Sequence, residues 1–364
     1  MRFVIISFII WRLLLTLITL ISINILPLRT GFLGGGLEKY APNPLLWGWA
    51  NMDGVHYLSI AQNGYFQFEQ AFFPLYPLLI RLISKISSLD NIISGLMISH
   101  ISTLLGIIIF YKFIEKQFSA NLAKQAIVIF LIFPGSFFLV SVYTEGLFFF
   151  LIIASIYFTN QKKWFLASIF AGLASATRLA GIFLLPVMLY IWLKDNKKSW
   201  QQIPIILLSS SGLLFYLYYL WKIYNDPLLF FHVQPAFGAN RSGESIIILP
   251  QVLFRYIKIF VTASFSYDYL IAGLEFGFFL SAIILLIRCI HKIPISYQIF
   301  AWLSLLVPTL TGSLSSMPRY LLTIFPLFIC LALEKKPVKI SYIAISAIIL
   351  VFTMMFFFRG YFIS

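Results

Sequence analysis

Apolar runs, several of them roughly 18 residues or longer, recur from one end of this chain to the other, the pattern of helices that cross a bilayer. They occupy residues 3–26, 91–111, 125–141, 146–160, 164–177, 180–193, 202–222, 269–288, 296–311, 320–333 and 338–358. The expected architecture is an all-α polytopic membrane protein of about eleven transmembrane helices, several of them short. Hydrophobic residues make up 61% of the chain and charged residues 10%, and no polar segment is long enough to bury the core of a separate soluble domain. Residues 1–364 therefore read as one membrane domain. ILPLRTG, after the first run, lacks a small-residue cleavage pattern, so that run reads as an uncleaved span.

The net charge of +14 does not point to nucleic acid, because the basic residues sit in short clusters between apolar runs, where they set topology. With a cytoplasmic N-terminus, that face collects Arg2, Lys112, Lys116, Lys124, Lys162, Lys163, Lys194, Lys197, Lys198, Arg288, Lys292, Lys335, Lys336 and Lys339, against only Glu115, Asp195 and Glu334. The other face carries nine of the twelve acids: Glu38, Asp53, Glu69, Asp90, Glu145, Asp226, Glu244, Asp268 and Glu275. It also carries both long loops, residues 27–90 and 223–268. Function is expected on that face. Cys289 and Cys330, with His291 near the first of them, give neither a disulfide framework nor a zinc pattern.

Trp47 to Pro77 is the one long polar and aromatic stretch, and it holds Asp53, His56 and Glu69 in a chain poor in acids. Met52, Val55 and Leu58, at steps of three, predict a helix over Met52–Ala61, while Pro74 and Pro77 interrupt the next apolar segment. Short helices along the membrane surface are expected here, a placement that suits Arg81 and Lys85. Gly34 to Gly36 lack a following GK[ST] and read as a hinge. Arg12 lies inside the first run, where a cation costs about 2.5 to 3.5 kcal/mol and must face protein, water or a lipid phosphate, or snorkel. Arg178 separates two runs too short to cross about 30 Å of hydrocarbon, which places it in a recess or in an ion pair with Glu145. Arg319, in SSMPRYLLTIFP, starts a span at its non-cytoplasmic end, where an arginine snorkels or holds a phosphate.

The segments MDGVHYLSIAQNGY, AFFPLYPLL, FPGSFFLVSVYTEGLFFFLIIASIYF, KKWFLASIFAGLASATRLAGIFLLP, DPLLFFHVQ and MPRYLLTIFPLF, in that order, resemble the PIG-V-like mannosyltransferases. These are multispanning glycosyltransferases of the C-type fold, whose eukaryotic members add the second mannose in glycosylphosphatidylinositol-anchor assembly. The most specific element of the resemblance is matched by Asp53, Gly54, His56, Tyr57, Glu69 and Ala71 to Pro74. Met52 stands where the family usually has tryptophan, with Trp47 and Trp49 nearby. The resemblance implies a sugar donor carried on a polyprenyl or dolichyl monophosphate, a glycan or glycolipid acceptor, and chemistry on the non-cytoplasmic face. The membrane would be the plasma membrane of a prokaryote or the endoplasmic reticulum of a eukaryote.

Under that implication Asp53 takes the proton of the acceptor hydroxyl, and Arg319, with Arg178 and Arg241 behind it, meets the leaving phosphate. Glu69 and His56 orient acceptor hydroxyls or hold Asp53, Glu145 contributes to substrate binding, and Trp47, Trp49, Tyr57 and Tyr65 stack on sugar faces. A single displacement inverts the anomeric carbon. With no Asp-x-Asp pair, no divalent metal or other cofactor is expected. Each assignment has a structural counterpart: Asp53 as a helix cap, Glu69 as a surface acid, His56 as packing, the aromatics as an interfacial belt. Two other function classes fit a polytopic basic chain. A transporter or lipid flippase should show internal repeats, which are not found. A non-catalytic subunit of a glycolipid-assembly complex would tolerate loss of Asp53.

Overall fold

The computed structural model describes residues 1–363, all of them in helices, turns or loops with no strand. Helices satisfy their own backbone groups where no water is available, as hydrocarbon requires. Five are long and apolar enough to cross a membrane: Arg2–Ile25, Asn91–Gln117, Gln202–Tyr224, Tyr267–Arg288 and Lys336–Phe358. Only 22% to 50% of each apolar window is buried inside the protein, and rows such as Ile5, Ile9, Leu13 and Leu17 face outward. An apolar surface of that extent has to be covered by lipid, so the chain is an integral membrane protein.

The other six expected runs form shorter helices, among them Ala120–Leu131, Glu145–Thr159, Trp164–Ser175 and Phe325–Leu333. Run 125–141 ends its helix at Leu131, before Pro134 and Gly135, and continues as the tight turn Ser136–Val140. Run 320–333 is split at Thr323 into Met317–Leu322 and Phe325–Leu333. Pro77 does not interrupt its helix. It is the third residue of Leu75–Ser87, where its missing N–H has no intrahelical partner to lose. Arg81 has a partner within the protein: its guanidinium donates to the carbonyls of Ala61 (2.6 Å) and Ile60 (2.8 Å), closing the end of the Asp53–Asn63 helix. The second long loop contains an unexpected helix, Leu249–Thr262, which buries Val252 and Tyr256.

At the centre, Asn91–Gln117 presents a buried stripe of small residues, Ser99, Thr103 and Gly106, to the helix Glu145–Thr159. Close approach of this kind drives association where no hydrophobic effect operates between helices. A Cβ on Gly146 would lie 2.3 Å from the Leu139 carbonyl and 2.4 Å from Thr103 Oγ1. Glycine at 146 therefore lets Glu145 sit inside the bundle. Arg12 faces protein: its Nε donates to His100 Nε2 (2.9 Å), its Nη1 to Thr16 Oγ1 (2.8 Å), and its guanidinium lies 4.3 Å from the Trp49 ring.

The bundle has two chemically different ends. One gathers the tight basic connections, through Lys162–Asp195 (2.6 Å), Arg288–Glu334 (2.7 Å) and Lys339–Gln125 (2.5 Å). At the other, Arg359 Nε donates to the Leu26 carbonyl (2.8 Å) and the two long loops meet, Phe237 against His56 and Phe230 against Phe73.

Candidate active site

Asp53 is the first residue of Asp53–Asn63 and follows Met52, whose φ of 56° is in the left-handed region that disfavours methionine. Asn51 holds this turn. Its Oδ1 accepts from Gly34 N (2.7 Å), its Nδ2 donates to the Phe357 carbonyl (2.8 Å), and its own carbonyl accepts from Tyr143 Oη (2.9 Å). Tyr143 Oη in turn accepts from Asp53 N at 3.2 Å. The N-cap position is occupied by Met52, and among the described residues the Asp53 carboxylate makes no hydrogen bond to its own helix. Instead Oδ2 accepts from Arg319 Nη1 at 2.5 Å.

Arg319 is carried by Met317–Leu322, a helix entered through Ser316 at φ 67°. That entry is gripped from the spanning helix Tyr267–Arg288, because Ser316 N donates to Glu275 Oε1 (3.3 Å). Tyr256 Oη donates to Glu275 Oε2 (2.5 Å) and accepts from Leu314 N (3.1 Å). Beyond Arg319 the charges alternate. Arg319 Nε lies 3.3 Å from Glu145 Oε1, which accepts from Arg178 Nη1 at 2.7 Å. Asp53, Arg319, Glu145 and Arg178 thus form a chain whose formal charges cancel, with side-chain exposures of 26%, 13%, 1% and 17%. Pairing of this kind is what lets charges persist away from water. Glu145, the most enclosed, aligns the two arginines. Asp53 Oδ1, Arg319 Nη2 and Arg178 Nη2 make no hydrogen bond within the described residues.

A second pair lies one turn further along the same helix. His56 Nδ1 is 3.3 Å from Glu69 Oε1, and Glu69 Oε2 accepts from Phe66 N (2.9 Å). The imidazole stacks on Phe72 at 4.8 Å, which turns Nε2 away from Glu69. Glu69 therefore orients His56 and does not hold Asp53. Arg241 forms no ion pair among the described residues, yet is near enough to bias Asp53 electrostatically. No group of three or more His, Cys, Asp or Glu side chains is placed to hold a metal ion among the described residues.

Residues 1–196, more than half of the chain, match the family described as Mannosyltransferase (PIG-V). The chain belongs to that family. The match spans Asp53, His56, Glu69, Glu145 and Arg178, while Arg241 and Arg319 lie beyond it. The crystal structure of ArnT from Cupriavidus metallidurans, bound to undecaprenyl phosphate, is similar over 97% of this chain and 76% of that one, at 11% identity and a TM-score of 0.50. At that identity the likeness is one of fold, that of the C-type glycosyltransferases. No curated protein matches.

Two of the expected stacking aromatics, Trp49 and Tyr57, are buried within the protein and are not available to a sugar, and Trp47 and Tyr65 are half-buried. Trp49 is 3% exposed, held edge-on against Phe358 at 4.6 Å and covered by Arg12. Tyr57 is buried among Phe72, Tyr76 and Tyr143, each roughly perpendicular to it. Trp47 packs on Gly35 and Lys39. Tyr65 is half-buried, stacked 6.0 Å from Tyr216, with its hydroxyl bonded to the Phe72 carbonyl (2.8 Å). Sequence reasoning did not find Asn51 or Tyr143, which set Asp53, or assign Glu275 its hold on the entry to Arg319. Asn51 lies two residues from Asp53, and Tyr143 sits in the SVYTEGL segment that drew notice for Glu145.

Burial raises the Asp53 carboxyl, but the Arg319 guanidinium and its hydrogen bond, then His56 and Arg241, outweigh it and hold the group below its ordinary range. Glu69 is likewise lowered: burial raises it, and the bonds from His56 and the Phe66 backbone more than offset that. Both depressed carboxyls contribute stability that is complete above about pH 4, the unfolded value, and is lost as pH falls through the lower folded values. A pH titration of thermal stability is expected to show this acid limb, weakened in Asp53→Asn. A limb identical in the variant would detach Asp53 from it.

Proposed function

We propose that this chain transfers a sugar, mannose by family, from a polyprenyl or dolichyl monophosphate to a hydroxyl of a lipid-linked or cell-envelope glycan, with inversion. The observation that carries this reading is one carboxylate, Asp53, fixed against the first of two arginines that Glu145 aligns. The acceptor oxygen attacks the anomeric carbon, the bond from that carbon to the phosphate oxygen breaks with its electron pair leaving on phosphate, and the hydroxyl proton passes to Asp53. Oδ1 is the oxygen with capacity to receive it. Phosphate is a good leaving group and needs no protonation. The charge it gains is met by Arg319 and Arg178.

Arg319 couples the two halves of the reaction. As Asp53 is neutralised its attraction for the guanidinium falls, while that of the departing phosphate rises. Arg241 stands as a third cation, and the Glu69–His56 pair presents Nε2 to orient acceptor hydroxyls. The same scheme places the chemistry on the non-cytoplasmic face of a plasma membrane or endoplasmic reticulum. All eleven apolar runs then cross or nearly cross the bilayer within one domain.

Two measurements test this. Membranes containing the protein, incubated with a panel of radiolabelled polyprenyl-phosphate sugars, should transfer label from the mannosyl donor. Transfer from none of the panel would sink the donor class. In a cysteine-free background, an impermeant thiol reagent should reach cysteines at Lys163 and Lys197 only from the cytoplasm, and cysteines at Gln67 and Asn240 only from the other side. Labelling of Gln67→Cys from the cytoplasm alone would invert the topology.

A further inference from the structure

At the end of the bundle opposite Asp53, the first turns of Arg2–Ile25, Ala120–Leu131 and Lys336–Phe358 surround a groove of about 470 Å³. Its walls are apolar, including Phe3, Val128 and Ile343, and Lys124, Lys336 and Lys339 converge on it. Val128 and Ile343 each lie one helical turn beyond Lys124 and Lys339, about 6 Å further along the helix. The groove therefore has a cationic mouth and a hydrocarbon interior.

None of the three lysines has a carboxylate partner among the described residues. Lys339 Nζ donates to Gln125 Oε1 (2.5 Å) and the Ala332 carbonyl (3.2 Å), and Lys124 Nζ lies 5.8 Å from the Phe3 ring. The three acids of this end are engaged elsewhere, Glu334 with Arg288 and Lys292, Asp195 with Lys162, and Glu115 accepting from Tyr111 Oη (3.2 Å). Lys336 and Lys339 also occupy the start of their helix, where the macrodipole disfavours cations, so they do not serve the helix that carries them. Lysines that only set topology need share no cavity. A positive mouth above an apolar slot complements an amphiphile with a negative head.

We infer that this groove binds a diacyl phospholipid with an anionic head group, its phosphate at Lys124, Lys336 and Lys339 and an acyl chain along Val128 and Ile343. The site lies at the other end of the bundle from Asp53 and stands whether or not the proposed transfer is correct.

The test is native mass spectrometry of the purified, delipidated full chain titrated with phosphatidylglycerol or phosphatidylcholine of identical acyl chains. The wild type should retain phosphatidylglycerol preferentially. Losing a lysine near anionic lipid weakens binding roughly fivefold, so Lys124→Gln/Lys336→Gln should lower retention roughly 25-fold. Lys194→Gln/Lys197→Gln, on the same face outside the groove, should leave it unchanged. Ile343→Trp, which fills the slot and keeps every charge, should also reduce retention, and Lys124→Arg/Lys336→Arg should restore it. Equal retention of the two lipids would overturn the inference, as would equal loss in both lysine pairs. Full competition by glycerophosphate, or a protein helix that is retained in place of lipid and released by Ile343→Trp, would overturn it too.

Discussion

Asp53→Asn is expected to lower sugar transfer roughly 10²- to 10⁴-fold while the amount of protein in the membrane stays unchanged. Asparagine is nearly isosteric and keeps a side-chain oxygen that can accept from Arg319 Nη1, so the geometry of the turn held by Asn51 and Tyr143 is preserved. What it loses is basicity. Because Met52 occupies the cap position and, among the described residues, the carboxylate bonds to Arg319 and not to its own helix, any loss of stability in Asp53→Ala would report the ion pair with Arg319. Product formation measured per unit of folded protein separates catalysis from abundance. A near wild-type rate in Asp53→Asn would make the residue structural and leave a non-catalytic subunit, or a His56 base oriented by Glu69, as the readings to test through His56→Gln.

Arg319→Lys should weaken donor use by about 1 to 3 kcal/mol, a loss of roughly 5- to 150-fold in kcat/KM for the donor. Arg319 reaches Asp53 through Nη1 and Glu145 through Nε. An ammonium is a single point charge and cannot span the same two carboxylates with a donor left over for phosphate. Donor titration at saturating acceptor measures the effect, and unchanged donor dependence would remove Arg319 from the phosphate site in favour of Arg178. The lysine variant is more informative than alanine. Removing the cation altogether leaves Asp53 unpaired and Glu145 with a single partner, a loss that typically costs about 3 to 5 kcal/mol and would be seen first as missing protein.

The positions of the apolar runs were legible, and Asp53, His56, Glu69 and the intramembrane charges stood out as candidates, because charge is scarce in this composition and every isolated ion needs an explanation. Partnership was less legible. Asp53 and Arg319 are 266 residues apart, and nothing local in either segment announces the other. The Arg178–Glu145 pair, 33 residues apart, was foreseen because both residues interrupt neighbouring apolar runs. The aromatics were misread for a different reason. With aromatic residues at 18% of the chain, a tryptophan or tyrosine near the site carries no information about which way its ring faces, and Trp49 and Tyr57 turned inward. Leu249–Thr262 escaped notice because Arg255 and Lys258 break its apolar run, although their spacing leaves one face free to bury Val252 and Tyr256.

The clamp at Asn51 bears on how such a protein is made. Its side-chain nitrogen is tied to the carbonyl of Phe357, and Tyr40 Oη donates to that of Phe358 at 2.5 Å. The turn that presents Asp53 is synthesised 306 residues before its seat, the end of the helix Lys336–Phe358. A nascent chain that stops short of Met317 carries the carboxylate with neither its arginine nor its seat. The Asp53–Arg319 pair therefore takes its seat only once Met317–Leu322 and Lys336–Phe358 have been made and docked, so a half-inserted chain lacks the assembled site.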